Sequence, residues 1–209
     1  MIDVYSWSTG NGKKIFIALE EMGLPYTIHP VNIYKNENMD PEFEKLSPNQ
    51  KIPAIVDQET DITLFESGAI LQYLAEKSGK FYGNTDKDRW NVTQWLMWQM
   101  GGVGPMMGQA LHFLFYNKGA SDYAAERYGK ETNRLYAVLD KQLSKQAFVA
   151  EEYSIADMAI WPWITRFERQ DIALGDYPNV QRWYREIAKR PAVVKGFKTL
   201  SKDEEIPGL

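Results

Sequence analysis

The hydrophobic period of this chain changes once, and that change limits its fold more than any motif does. Before about residue 80, strand-like and helix-like apolar patterns alternate; beyond about residue 86 every periodic segment is helical. Residues 2–7 read as a first strand through Ile2 and Val4, with Trp7 at its end. The turn-rich Ser8-Thr9-Gly10-Asn11-Gly12 leads into a helix whose Ile15, Ala18, Leu19 and Met22 share one face, and Gly23 is placed to end it. Residues 26–33 read as a second strand, and the polar stretch 35–48, with Pro41 and Pro48, as loop and short helix. Residues 51–56 and 62–65 read as a third and fourth strand joined by a hairpin turn over 57–61. A helix opens near Glu66 with Ile70, Leu71 and Leu74 on its buried stripe. The order is βαβ, a connection, then ββα, so a parallel crossover pair is followed by antiparallel strands.

Residues 78–86 read as a linker, and the rest as helices. The stretch 88–100 is rich in Trp and Met, and Gly101-Gly102-Val103-Gly104-Pro105 is expected to break or kink whatever helix runs there. A second helix covers 121–145 with Tyr128, Leu135, Val138 and Leu139 inward. Ser154-Ile155-Ala156-Asp157 forms a capping box, with Tyr153 and Met158 placed as a hydrophobic staple. Pro178 and Pro191 each start a further helix. The implied organisation is an α/β domain over 1–80 and an all-helical domain over 88–209.

Composition excludes several function classes. The net charge of −4 argues against nucleic acid and anionic membrane surfaces as partners. No apolar run approaches the roughly 20 residues needed to span a bilayer. Nothing near Met1 resembles a secretion signal, so the expected location is cytoplasmic, and Asn91-Val92-Thr93 is a chance glycosylation match. With no Cys, the chain has neither a disulfide framework nor a thiolate metal site, and any reactive sulfur must arrive on a ligand. His29 and His112 are too few and too distant to hold a metal, and none is expected. Trp90, Trp95 and Trp98 read as core or dimer contacts rather than a base-stacking platform. The acidic Asp203-Glu204-Glu205 reads as a solvated tail.

A βαβ-ββα domain followed by an all-α one resembles the glutathione transferase superfamily, whose first domain is thioredoxin-like. Lys51-Ile52-Pro53-Ala54 is similar to the strand ahead of that family's cis proline, Glu66-Ser67 to the acid–hydroxyl pair opening its third helix, and Ser154 to Asp157 to the capping box of its helical half. Thr9-Gly10-Asn11-Gly12, Ser47-Pro48-Asn49 and the run from Trp98 to Met106 look like the bacterial nu class. The resemblance covers essentially the whole chain. It implies a homodimer that binds reduced or oxidised glutathione as a co-substrate and reduces small disulfides.

It also implies residue roles. A cis Ile52–Pro53 bond would leave the Ile52 main chain facing outward to pair with an extended tripeptide; the residues alone equally allow an ordinary trans proline. Ser67 would bind the γ-glutamyl α-carboxylate at a helix N-terminus, with Glu66 on the adjacent ammonium; by type alone the pair reads equally as a cap. Thr9 and Asn11 would donate hydrogen bonds to the glutathione sulfur and, with the positive end of the first helix, lower a thiol pKa that is ordinarily about 8.5. The alternative for Ser8 to Gly12 is a turn and cap. Tyr5 and Ser8 match other classes' catalytic residues in type, and rank below Thr9 and Asn11 because Tyr5 lies inside the strand and Ser8 before the motif. Lys51 would reach the glycyl carboxylate, Asn38 would touch the bound peptide, and Arg127 would contact a second glutathione, unless it merely pairs with Glu131 on its own helix.

The leading reading is therefore a glutathione-dependent disulfide-bond oxidoreductase with no protein thiol, acting on a small disulfide in a cleft between the domains. Two rivals stand beside it: a conventional transferase or peroxidase acting on electrophiles or organic hydroperoxides, and a non-catalytic glutathione-binding regulatory module.

Overall fold

The computed structural model describes all of residues 1–209 as two compact units, Met1–Tyr82 with Arg190–Ile206, and Gly83–Lys189 with Pro207–Leu209. The first is built on a four-stranded sheet in the order β2-β1-β3-β4, from β1 (Ile2–Ser6), β2 (Tyr26–Pro30), β3 (Ala54–Asp57) and β4 (Ile62–Phe65). β1 runs parallel to β2 and antiparallel to β3, and β3 antiparallel to β4. Between β1 and β2 lies α1 (Gly10–Met22), which ends at Gly23 with φ of 71°, the left-handed conformation that favours glycine. α2 (Pro41–Leu46) precedes β3, and α3 (Ser67–Ser78) follows β4. Phe43 of α2 packs with Val31 and Ala54, and Tyr5, Leu46 and Ile52 close around that cluster. Ile2 and Val4 point to the opposite face by strand alternation and are buried there. α1 packs against α3, and α3 against β3 and β4.

Two sequence expectations need correction here. Residues 51–53 do not extend the third strand: side chains of the preceding loop hold the Gln50 and Lys51 carbonyls, Ile52 pairs with no neighbouring strand, and β3 begins at Ala54. Arg190–Ile206, placed in the helical domain from sequence, groups with the first unit. Its helix α9 (Pro191–Lys198; α4 to α8 belong to the second unit, below) lies against α1 so closely that a Cβ on Gly196 would sit 2.6 Å from the Ile17 backbone. Ion pairs fasten the same face: Arg190 with Glu21 at 2.5 Å, Lys195 with Glu20 at 2.8 Å, and Lys13 with Glu204 at 2.5 Å. Glu204 is thus the anchor of a tail that reads from sequence as merely solvated.

The second unit holds α4 (Asp86–Trp98), α5 (Gly104–Leu111), α6 (Asp122–Leu143), α7 (Ile155–Ile164) and α8 (Pro178–Ala188). The glycine-rich run does not break the chain. It carries α4 into α5 through a wide π-helical turn over Gln99–Val103, with Pro105 in the first turn of α5, where a missing N–H costs nothing. α7 is apolar around nearly its whole circumference and almost wholly buried, as an all-round apolar helix must be. Gly104 and Gly108 face Trp163, whose ring atoms would stand at ordinary contact distance, 3.6 Å and 3.5 Å, from a Cβ there, while a Cβ at Gly104 would crowd the Gln99 amide at 2.9 Å. No helix is long and apolar enough to cross a membrane.

Candidate functional site

The strand register gathers the candidate residues of the first unit at one end of its sheet. Tyr5 pairs with Ala54, and Ala54 with Phe65, so the chain leaving β1, the chain entering β3 and the chain leaving β4 all meet there. α1 and α3 both begin at that end, and helix N-termini favour anions.

The first helix start is shaped by two residues. Thr9, extended at φ −124° and ψ 170°, is the N-cap of α1, and its Oγ1 accepts from the Gly12 N–H at 3.1 Å. The capping alternative is therefore real, yet it uses only a lone pair; the Thr9 hydroxyl hydrogen goes to no other group of the chain. A Cβ on Gly12 would come 2.0 Å from the Trp7 carbonyl oxygen, so only glycine lets the helix start so close to β1. Asn11, half-buried, sits in that first turn. Tyr5 and Ser8 are otherwise engaged. Tyr5 stacks on His29 with ring centroids 4.5 Å apart, and the Ser8 hydroxyl bonds to Ser201 and Glu204 of the tail.

Ile52–Pro53 is a cis peptide bond. The Ile52 N–H and C=O bond to nothing else in the chain, while its side chain leans on the Val31–Phe43–Ala54 cluster. The loop ahead of it is held from outside. Asn38 Nδ2 donates to the Gln50 carbonyl at 2.9 Å, and the Ser47 hydroxyl donates to the Lys51 carbonyl at 2.8 Å. Gln50 itself takes φ of 52°, a left-handed conformation that these two bonds help to hold. Asn38 thus acts on the loop, and its Oδ1 is buried without a partner. The Lys51 side chain is exposed.

At the second helix start, Glu66 occupies the N-cap position with φ 67° and ψ 110°, and its side chain makes no capping bond. The cap alternative for Glu66 fails; its carboxylate is exposed on a strained backbone that ordinary helix starts do not need. Ser67 is buried, and its Oγ accepts from Lys14 Nζ at 3.3 Å. Lys14 is fully buried, and burial pushes its ammonium down to about 7, against the opposing influence of the Glu66 charge. Sequence reasoning missed Lys14, although a signal existed. It stands four residues before Ala18, on the edge of the apolar stripe of α1, where a lysine is out of place.

Arg127 belongs to the second unit, exposed on α6. The alternative, a pair with Glu131, forms no hydrogen bond, because Glu131 is held by Arg134 at 2.7 Å and 2.8 Å, although the Arg127 charge still helps to lower the Glu131 pKa. Arg127 instead lines an open groove of about 540 Å³ with Met106, Tyr128, Lys130, Glu131 and Arg134.

Known proteins with this arrangement agree with one another. The pattern of the glutathione S-transferase N-terminal domain matches residues 2–76, and that of the C-terminal domain matches residues 103–191. Disulfide-bond oxidoreductase YfcG of Escherichia coli is 48% identical over 198 residues, covering 92% of each chain. A glutathione transferase from Pseudomonas putida, crystallised with one glutathione disulfide per subunit, superposes with a TM-score of 0.90 at 44% identity, covering 94% of this chain and 90% of that one. One from Burkholderia graminis, with two glutathione molecules per subunit, gives 0.91 at 40% identity, covering 96% and 89%.

Proposed function

The chain belongs to the glutathione S-transferase family, and from that premise we propose that it is a glutathione-dependent disulfide-bond oxidoreductase that works without a thiol of its own. The observation that carries this reading is the cysteine-free sheet end, which the free Ile52 main chain, the exposed Glu66 carboxylate and the N-termini of α1 and α3 share. Every polar feature of a γ-linked tripeptide has a counterpart there. Ile52 pairs with the peptide as a short added strand after Pro53. Ser67 takes the γ-glutamyl carboxylate, Glu66 the neighbouring ammonium, and Lys51 the glycyl carboxylate. Asn38 holds the loop that presents Ile52.

Thr9 and Asn11 stabilise the glutathione thiolate as hydrogen-bond donors at the positive end of α1. Neither is a base or a nucleophile near neutral pH. The thiolate attacks one sulfur of a small disulfide, forming a mixed disulfide and releasing the other half as a thiol. A second glutathione thiolate then attacks the glutathione sulfur of the mixed disulfide. The products are two substrate thiols and glutathione disulfide, and the two thiol protons end on the released sulfurs. Arg127, exposed on α6 and without a hydrogen-bonded acid, is the residue we assign to the second glutathione. The name of YfcG, and the bound ligands of the P. putida and B. graminis structures, support disulfide exchange over conjugation.

We also propose a homodimer. Trp90, 72% exposed, and Met97 on α4 are larger apolar side chains than a lone surface helix carries without a partner. Turnover separates the readings. With equal glutathione, hydroxyethyl disulfide should be reduced faster than chlorodinitrobenzene is conjugated or cumene hydroperoxide is reduced. Dominant conjugation would sink the oxidoreductase reading. Calorimetry showing no binding of reduced or oxidised glutathione would sink the whole assignment.

A further inference from the structure

One carboxylate of the C-terminal segment grips both ends of the turn that carries Thr9 and Asn11. Glu204 accepts from Lys13 Nζ at 2.5 Å and from the Ser8 hydroxyl at 3.4 Å, and the Ser201 hydroxyl donates to Ser8 as well. Ser8 stands immediately before Thr9 and Lys13 two residues after Asn11, so both candidate sulfur donors lie between the gripped residues. The main chain closes the same turn. The Thr9 N–H donates to the Trp7 carbonyl at 2.8 Å, and the Lys13 N–H to the Thr9 carbonyl at 2.9 Å. On the β1 side a Cβ at Gly12 would also meet Ser6 Oγ at 2.6 Å.

Fastening the tail alone does not require this arrangement. Arg190 and Lys195 already tie the α9 segment to the C-terminal part of α1, through Glu21 and Glu20. Lys13, by contrast, is buried in the first turn of α1, where the helix dipole disfavours a cation, and its ammonium lies 3.3 Å from the centroid of the Phe197 ring. Leu200 turns the chain after α9 at φ of 61°, a left-handed conformation that strains a bulky residue. The costly fastening therefore falls on the turn that faces the ligand.

We propose that Glu204 is a positioning residue for the glutathione thiolate: by clasping Ser8 and Lys13 it fixes the turn from which Thr9 and Asn11 donate to the sulfur. This rests on the glutathione reading above. Hydrogen bonds weaken steeply once misaligned, so a small loosening of this turn costs thiolate stabilisation while leaving the peptide's contacts at Ile52, Glu66 and Ser67 in place. Position and charge act in opposite directions here, which makes them separable. A carboxylate near the sulfur disfavours a thiolate, so deleting its charge alone lowers the bound thiol pKa, whereas losing the clasp raises it.

The test follows the ultraviolet absorbance of glutathione thiolate bound to the full chain as pH is varied, beside calorimetry with S-methylglutathione, which has no thiol to ionise. Glu204→Ala should raise the bound thiol pKa by about one unit and slow disulfide reduction about tenfold at pH values below it. Affinity for S-methylglutathione should change less than about twofold. Glu204→Gln, whose amide oxygen still accepts from Ser8 and Lys13, should return the thiol pKa to the wild-type value or below. An unchanged or lowered thiol pKa in Glu204→Ala overturns the proposal, as does an equal weakening of S-methylglutathione, the mark of a merely structural tail. Should Glu204→Ala fail to fold, Lys13→Met combined with it removes the ion pair whole and leaves the net charge unchanged. The same upward shift is expected of that double variant, and its absence overturns the proposal. If the wild type binds no S-methylglutathione, the glutathione reading itself falls and takes this inference with it, an outcome visible without any variant.

Discussion

Two helices in this molecule begin with a serine beside an acid, and one start is closed where the other is open. At α7, Ser154 is the N-cap, and Asp157 accepts from the Ser154 N–H and hydroxyl, the Val149 N–H and the Trp183 indole N–H. Every one of those donors belongs to the chain, and the carboxylate is fully buried. At α3 the acid stands in the cap position itself, makes no capping bond, and holds a positive φ. Its serine is buried on a lysine and its carboxylate faces water. The same two residue types complete their bonding within the chain at α7, while at α3 strain and exposure leave the Glu66 carboxylate outside any capping bond, which is where we propose that a ligand is held.

Substitution should separate the two starts. The largest effect belongs to the closed one. Asp157→Ala orphans four buried donors and removes the acid half of the capping box, so urea denaturation should show a loss of about 4 kcal/mol. Whatever folds should bind glutathione as before; a loss under about 1 kcal/mol would remove the structural half of the contrast. At the open start the effect moves to binding. Glu66→Gly should weaken glutathione by about 2–3 kcal/mol, the worth of a hydrogen bond between charged groups. The same change should raise stability by about 1 kcal/mol, because glycine accepts the positive φ without strain. A Glu66→Gly variant that melts earlier and binds normally would make Glu66 an ordinary structural residue.

The closed start was legible in the sequence because its signals are local: serine, acid three residues on, apolar run. Gly23, the apolar stripe of α1 and the β3–β4 hairpin were legible for the same reason. The open start was legible only through family resemblance, since Glu66-Ser67 by type fits a cap equally well. What escaped notice is non-local. Gly196 meeting the Ile17 backbone and Glu204 meeting Lys13 draw the C-terminal segment onto α1, and no spacing rule joins residues so far apart. β3 starts late because Asn38 and Ser47 hold the Gln50 and Lys51 carbonyls away from the sheet. Lys14 was hidden by a sound rule, that lysines face water, which fails here because its helix position falls on the buried face of α1.

Lys14 ties the open start to pH. In the unfolded chain its pKa is 10.5, and in the folded one about 7. Between those values the unfolded state binds more protons, so the free protein gains stability from this group as pH rises from about 7 toward 10 and loses it on the way down. Lys14→Met removes the penalty. The variant's advantage over the wild type should be about 3 kcal/mol larger at pH 6 than at pH 9, from the roughly two units between pH 9 and the folded value at about 1.4 kcal/mol per unit. Thermal melts across that range check the sign. An advantage no larger at pH 6 than at pH 9 would mean that the ammonium is not a buried burden in the free protein.

The smallest effect tests what is read at Ile52. Its main chain is free and its side chain packs inward on Val31, Phe43 and Ala54. If an added strand is the mode of capture, the peptide meets backbone atoms that any residue supplies. Ile52→Val should then cost about 0.5–1.5 kcal/mol of stability through one lost methylene, with glutathione affinity changed by less than about twofold, well under 1 kcal/mol. Methylating the cysteinyl amide nitrogen of the ligand should do the reverse, abolishing a main-chain bond while leaving the protein untouched. A tenfold loss of affinity in Ile52→Val, with the methylated ligand still bound, would shift recognition to the side chain. The contrast drawn above would then need a new basis, since the open start would no longer stand beside an open strand edge.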